Sequence, residues 1–206
     1  MTKAFETINI HKLTQKLLKT NIPNNIIKFL ANYLKGRNAY TILHNITSRK
    51  RKLKTGVPQG GVLSPILFNI YLSDIPNPPS NVQLEVYADD MYTLSSDNNY
   101  NKAVQNLQPY LNDLFQWTLD NDLQLNASKS TATLFTTHPE EFNKTLTITI
   151  NNDLIPTEKN PKILGLTFDP KLNFIEHIKI TKEKASKSIN IMKAISSTKW
   201  GKQKKL

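Results

Sequence analysis

Hydrophobic positions recur along the chain with two different periods. Ile10, Leu13, Leu17 and Leu18 fall at helical spacing and predict a helix that follows directly on Met1-Thr2-Lys3-Ala4-Phe5-Glu6-Thr7. That opening has no start-like character and reads as the middle of a domain. Pro23, favoured at a first helical position, opens a second helix that Gly36 stops, with Ile26, Ile27, Leu30, Tyr33 and Leu34 on one face. A short strand is predicted around Tyr40 to Leu43. Ser64-Pro65 supplies the cap and first turn of an apolar helix from Ile66 to Leu72, and Pro76 to Pro79 form a rigid linker after it. Beyond the linker, Leu84 and Val86 and then Met91, Tyr92 and Leu94 make a β-prone run interrupted by two adjacent carboxylates, which reads as a hairpin with acids at its tip.

The second half continues the alternation. Val104, Leu107, Leu111, Leu114 and Phe115 mark a helix from Lys102 to Leu119, with Trp117 on the buried face; Pro109 must kink it or start its second half. Asn126 to Ser130 is a loop, Thr131 to Thr136 a strand, and Leu146 to Ile150 with Leu154-Ile155 a hairpin across Asn151-Asn152-Asp153. Lys162 to Phe168 reads as another strand. A helix from Glu176 onward is anchored by Ile178, Ala185, Ile189, Met192 and Ile195, and the chain ends in Lys199-Trp200-Gly201-Lys202-Gln203-Lys204-Lys205. This order predicts an α+β fold, mostly antiparallel strands with helices on one face.

Composition narrows the partners. The 206 residues, 38% hydrophobic, suffice for one core, or for one domain and part of another. Twenty-seven Lys and Arg against 16 Asp and Glu give a net charge of +11, which favours a polyanionic partner, nucleic acid first. The run Arg49, Lys50, Arg51, Lys52, Leu53, Lys54 would ordinarily be a solvated face. Directly before a glycine-rich loop it is better placed to hold phosphates. The absence of Cys excludes disulfides and thiolate metal sites. No apolar run approaches the roughly 18 residues of a spanning helix, so no membrane partner is expected and the chain is expected to be soluble and intracellular.

Two strings carry the chemistry. Tyr87-Ala88-Asp89-Asp90 alone could be a solvated turn, since Asp is a good turn former. Upstream stands Thr55-Gly56-Val57-Pro58-Gln59-Gly60-Gly61-Val62-Leu63-Ser64-Pro65, a glycine-rich turn opening straight into an apolar helix. In this order and spacing the two strings resemble the reverse transcriptase domain of non-long-terminal-repeat retrotransposons, most of all the jockey-type group, over nearly the whole chain. The resemblance implies a polymerase palm over 1–170, the start of a thumb over 171–206, and no fingers. It implies an RNA-directed DNA polymerase that copies RNA into DNA during retrotransposition, with an RNA template, a DNA primer, a dNTP, Mg²⁺ or Mn²⁺, and a nuclear location. Oligomeric state is not legible in the sequence.

Nucleotidyl transfer uses two metal ions about 3.5 to 4 Å apart, and hard divalent cations take carboxylate oxygens. By resemblance Asp89 is the direct ligand on the hairpin, Asp90 a supporting acid, and Tyr87 packs beneath the primer end, although a half-buried strand aromatic is the plain alternative. Pro58, Gln59 and Gly60 would line the template and incoming nucleotide, glycine allowing close backbone approach. Lys129 would stand near the leaving pyrophosphate and protonate it, a solvated loop lysine being the alternative. Ile163 to Asp169 resembles the primer-gripping hairpin. Lys3-Ala4-Phe5-Glu6 matches the second half of the family's first motif, Asp-x-x-Lys-Ala-Phe-Asp. Lys3 to Phe5 would then be a strand end beside the hairpin, Glu6 the turn beyond it, and Phe5 the residue that excludes a 2′-hydroxyl. The leading Asp falls one residue before Met1, so residues 1–206 alone are expected not to extend a primer. Two other classes stay open: a non-catalytic nucleic-acid-binding module, and a metal-dependent nuclease. Against the nuclease stands the glycine loop, because hydrolysis needs no cradle for a template–nucleotide pair.

Overall fold

A computed structural model of the chain describes Met1 and residues 4–196. Lys3 and the basic terminus Lys199 to Lys205 lie outside the described residues. The chain divides into two compact units, one of Met1–Ser130 with Thr147–Ile155, the other of Thr131–Leu146 with the chain from Pro156 on.

In the first unit the chain opens with α1 (Ala4–Thr7), α2 (Ile10–Leu18) and α3 (Asn24–Leu34). Asn9 caps α2, its side-chain oxygen accepting from the N–H of His11 at 2.9 Å and of Lys12 at 3.2 Å. The buried stripes are narrower than their periodicity suggests. Ile27, Leu30 and Leu34 of α3 are buried, whereas Ile26, Tyr33 and, on α2, Leu18 are exposed, because α2 covers only one side of α3. The strand expected at Tyr40 to Leu43 is instead a bent hairpin arm. β1 (Asn38–Ala39) pairs with β4 (Arg51–Lys52), and β2 (Ile42–Leu43) with β3 (Ile46–Thr47). Tyr40 and Thr41 face three residues, Ser48 to Lys50, and this unequal count breaks the ladder. His44 and Asn45, with φ of 45° and 66°, make the tight turn at its tip.

α4 (Ser64–Tyr71) has Pro65 in its first turn and buries Leu67, Phe68 and Tyr71. Ser64 is not its cap: it is the first helical residue, and its hydroxyl donates to the carbonyl of Pro58. β5 (Val82–Tyr87) and β6 (Asp90–Ser95) form the long hairpin, which packs on α5 (Tyr100–Asp120). α5 runs through Pro109 as one helix, with that residue on its exposed side, so no second half begins there. β7 (Thr149–Ile150) and β8 (Asp153–Leu154) close a hairpin over Asn151-Asn152 as expected. Gln108 secures it to α5, donating to Thr149 O and accepting from Thr149 N, both at 2.9 Å.

The core of this unit gathers Ile8, Leu13, Leu17, Leu34, Leu67, Phe68, Tyr71, Leu114, Trp117 and Leu123. Each fully buried leucine contributes about 1.5–3 kcal/mol. A buried cation sits among them. Lys16 Nζ donates to Tyr71 O at 2.5 Å, Asp74 Oδ1 at 2.6 Å and Asn121 Oδ1 at 2.7 Å, so its three protons have three acceptors. It also lies 4.6 Å from the ring centre of Tyr71 and 5.2 Å from that of Trp117. Burial pushes the Lys16 ammonium below the usual lysine range even though Asp74 pulls it back. Tyr71 Oη donates to Asn121 O at 2.6 Å, and α2, α4 and α5 are thereby joined through one polar centre.

Among the described residues the strands pair only in twos, as five antiparallel ladders that share no strand, so the mostly antiparallel pairing expected from the sequence is present but is divided into small sheets. One cause is local. Ala4 and Phe5, expected at a strand end beside the long hairpin, and Glu6, expected in the turn beyond it, are helical, and Ala4 and Glu6 favour that state.

In the second unit, Thr131 to Thr136 is no strand. Only Ala132 bridges, in parallel, to Thr157, and the neighbouring Pro156 cannot donate to extend the pairing. Lys162 to Phe168 folds back on itself as β9 (Lys162–Ile163) and β10 (Leu166–Thr167), because Leu164-Gly165 turns with φ of 47° and 91°. Asp169 then organises the start of α6 (Ile175–Ile195), its carboxylate accepting from the N–H of Lys171 at 3.1 Å, Asn173 at 3.2 Å and Phe174 at 2.6 Å. None of the expected anchors of α6 is buried: Ile178, Ala185, Ile189, Met192 and Ile195 are all exposed. The periodic stripe exists, but among the described residues no element buries it. Among the described residues no helix is long and apolar enough to cross a membrane.

Candidate active site

Tyr87 pairs with Asp90, so the turn of the long hairpin is the two residues Ala88-Asp89, and Asp90 opens the returning strand. Ala88 has φ of 52°, a conformation glycine adopts more readily and one that costs an alanine about 1–2 kcal/mol. Asp89 is half-buried and Asp90 exposed. Tyr92 Oη donates to Asp90 Oδ2 at 3.2 Å. Burial first, then the charges of Asp90 and Asp89, pushes the Tyr92 phenol up. Tyr87 is 64% exposed rather than half-buried. Two adjacent carboxylates on a rigid tip suit a hard divalent cation, and among the described residues no group of three or more acidic, His or Cys side chains gathers around one point. The residues present therefore fit one side of a Mg²⁺ or Mn²⁺ site.

Met1 touches the hairpin tip, and Phe5 and Ile8 touch the glycine loop. The Met1 amino group donates to Asp89 O at 2.6 Å, while Phe5 O accepts from Val57 N and Ile8 O from Gly56 N, each at 2.8 Å. Met1 and Phe5 are four residues apart, so their Cα atoms are separated by no more than about 15 Å. The phenyl ring of Phe5 stacks on Phe68 with centroids 4.4 Å apart and 18° between planes. Contrary to the strand-and-turn expectation, Glu6 is helical and turned to the glycine loop: its carbonyl accepts from Thr55 Oγ1 at 2.9 Å and its carboxylate from Gln59 Nε2 at 3.2 Å.

Gly56, at φ 82°, has no room for a side chain, since a Cβ there would lie 2.8 Å from Glu6 O and 2.9 Å from Phe5 O. Pro58 is half-buried; Gln59 and Gly60 are exposed. Arg37, not singled out in the sequence, and Tyr33, expected only on the apolar face of α3, border this loop. Arg37 donates to Leu34 O and Thr55 O, both at 3.0 Å, and to Gly56 O. Tyr33 Oη would stand 3.1 Å from a Cβ at Gly61. The available signal was an arginine just past the stop of α3, where a cation meets free helix carbonyls.

The structure thus brings Phe5, Pro58, Gln59 and Gly60 together, and Tyr87, Asp89 and Asp90 together. Lys129 ends a short 3₁₀ turn, Ala127–Lys129, organised by Asn126 and exposed. Arg49, Lys50, Arg51, Lys52 and Lys54 lie along the arm, all exposed, and none takes part in the ion pairs of the described residues.

A mixed α/β chain carrying an acidic hairpin tip and a braced glycine loop is matched over residues 1–168 by the family described as reverse transcriptase (RNA-dependent DNA polymerase), and the chain belongs to that family. It is 32% identical over 193 residues to the probable RNA-directed DNA polymerase from transposon BS of Drosophila melanogaster, covering 88% of this chain and 20% of that protein. Against the RNA-directed DNA polymerase from mobile element jockey of the same organism the identity is 29% over 167 residues, covering 78% and 18%. The probable RNA-directed DNA polymerase from transposon X-element shares 27% over 184 residues, covering 85% and 19%. The chain spans about a fifth of the length of these curated relatives. The jockey-type resemblance read from the motif strings is borne out.

Proposed function

We propose that this chain is the palm, residues 1–170, and the start of the thumb, residues 171–206, of an RNA-directed DNA polymerase that copies RNA into DNA for a retrotransposon. The observation that carries the reading is the two-residue turn that puts Asp89 and Asp90 at one tip, in the same unit as the glycine loop. Asp89 and Asp90 would hold Mg²⁺ or Mn²⁺, which when bound neutralises the charge of the attacking and leaving oxygens. Pro58, Gln59 and Gly60 would line the template base and the incoming dNTP, with Gln59 and Gly60 exposed toward them. Phe5, fixed by its stack on Phe68, is the steric candidate against a 2′-hydroxyl. Lys129 is free to meet pyrophosphate, and the cations of the arm to meet the phosphates of an RNA template and DNA primer. Nuclear action follows from this reading.

The test is binding of a labelled RNA–DNA duplex at rising salt. Affinity should fall linearly on logarithmic axes, with a slope of about −0.9 for each phosphate contact. Absence of binding at low salt, or binding indifferent to salt, would overturn the proposal. The exposed basic arm favours a second reading, a nucleic-acid-binding module without chemistry. Primer extension by a longer protein containing this chain, abolished by Asp89→Ala, separates the two.

A further inference from the structure

The guanidinium of Arg37 is engaged by the protein's own carbonyls. It donates through Nε to Leu34 O at the end of α3, and through Nη2 to Thr55 O and Gly56 O, while its own carbonyl accepts from Leu53 N at 2.8 Å. One residue therefore ties α3, the base of the basic arm and the first two residues of the glycine loop. The peptides around Gly56 are held on both sides, their carbonyls by Arg37 and the N–H groups of Gly56 and Val57 by Ile8 O and Phe5 O. Beyond the fixed residues 55–57, Gln59 and Gly60 are exposed, as is Val62 further along the loop. The guanidinium holds its N–H donors in a fixed planar fork that spans the separated carbonyls of Leu34, Thr55 and Gly56, whereas the three donors of a lysine ammonium radiate from one nitrogen. The cations of the arm differ from Arg37, since all five are exposed and it is half-buried.

We infer that Arg37 is a positioning residue for the glycine loop: it sets the conformation in which residues 58–60 meet a template–primer end, and it is not itself a phosphate contact. This rests on the nucleic-acid reading proposed above. The experiment compares Arg37→Lys, Arg37→Ala and Lys52→Ala in the full chain. In the free protein, both Arg37 variants should speed amide hydrogen exchange at Gly56 and Val57 by about tenfold or more, with α5 amides unchanged. Unchanged exchange at the loop, or equal acceleration in α5, overturns the assignment. In titrations with an RNA–DNA duplex over a range of salt, both Arg37 variants should bind about tenfold more weakly with the parent's salt slope, whereas Lys52→Ala should reduce that slope by about one. Full rescue by Arg37→Lys, or a slope lowered in Arg37→Ala, makes Arg37 a phosphate contact and overturns the inference. A parent chain that binds no duplex overturns the proposed function and the loop's purpose with it. The exchange result still decides whether Arg37 holds the loop.

Discussion

The amino nitrogen of Met1 lies 2.6 Å from the main-chain oxygen of Asp89, so a residue attached there is carried to the acidic tip. One added carboxylate at that point should turn a one-sided cation site into a two-sided one. We expect a chain with Asp appended before Met1 to bind Mn²⁺ about tenfold or more tightly than residues 1–206, as each further carboxylate ligand replaces a water. Asp89→Asn should cancel the gain. Water-proton relaxation reads both, and an appended Asp without effect would refute the geometry.

Gly56 and Gly60 both have positive φ, 82° and 79°, but only Gly56 is crowded. Gly60→Ala should cost about 1 kcal/mol from backbone strain alone. At Gly56 the clash with the backbone of Phe5 and Glu6 adds to that strain, for a loss of about 3 kcal/mol. Urea unfolding of the two variants gives the comparison; equal losses would show that the loop is not pressed against α1.

Lys16→Met keeps the aliphatic stem and removes the charge. Tyr71 O and Asn121 Oδ1 then lose a donor in the core, while Asp74, whose side chain is 51% exposed, can turn to water. The expected cost is about 3 kcal/mol. A change within about 0.5 kcal/mol, the range of an ordinary surface substitution, would mean the polar centre does not brace the helices.

Burial of Tyr71 pushes its phenol from its usual 10 up to about 12. Between those values the unfolded chain releases the proton and the folded chain keeps it, so stability falls as pH rises from 10 to 12. A single group contributes a slope of up to about 1.4 kcal/mol per pH unit. Tyr71→Phe should lose about 1–2 kcal/mol at neutral pH, from Asn121 O left without its donor, and should show a shallower alkaline decline. Parallel pH profiles would contradict the assignment.

Helices were legible from their spacing, α6 included although none of its residues is buried. The spacing of Leu13 and Leu17, of Leu30 and Leu34, and of Leu111 and Leu114 marks segments that the structure makes helical. The hairpin with Asp89 and Asp90 was legible because apolar runs flank a turn-forming pair. Breaks inside apolar runs were not: Leu164-Gly165 splits the strand expected over Lys162 to Phe168, and the unequal count opposite Tyr40 and Thr41 bends the one expected over Tyr40 to Leu43. The polar centre was hidden for a different reason. Lys16 falls on the buried face of α2 beside Leu13 and Leu17, and only the fold supplies Asp74 and Asn121 to receive it. Arg37 was missed because its partners are carbonyls, which every residue carries.

The hairpin of β7 and β8 belongs to the first unit, yet the chain reaches it only after Thr131–Leu146, which belongs to the second. On a ribosome the order of synthesis is then not the order of completion. Gln108 emerges early and waits for Thr149 while a stretch of the other unit is made in between. The two units are interleaved in time, and a nascent chain halted before Ile155 holds neither of them whole.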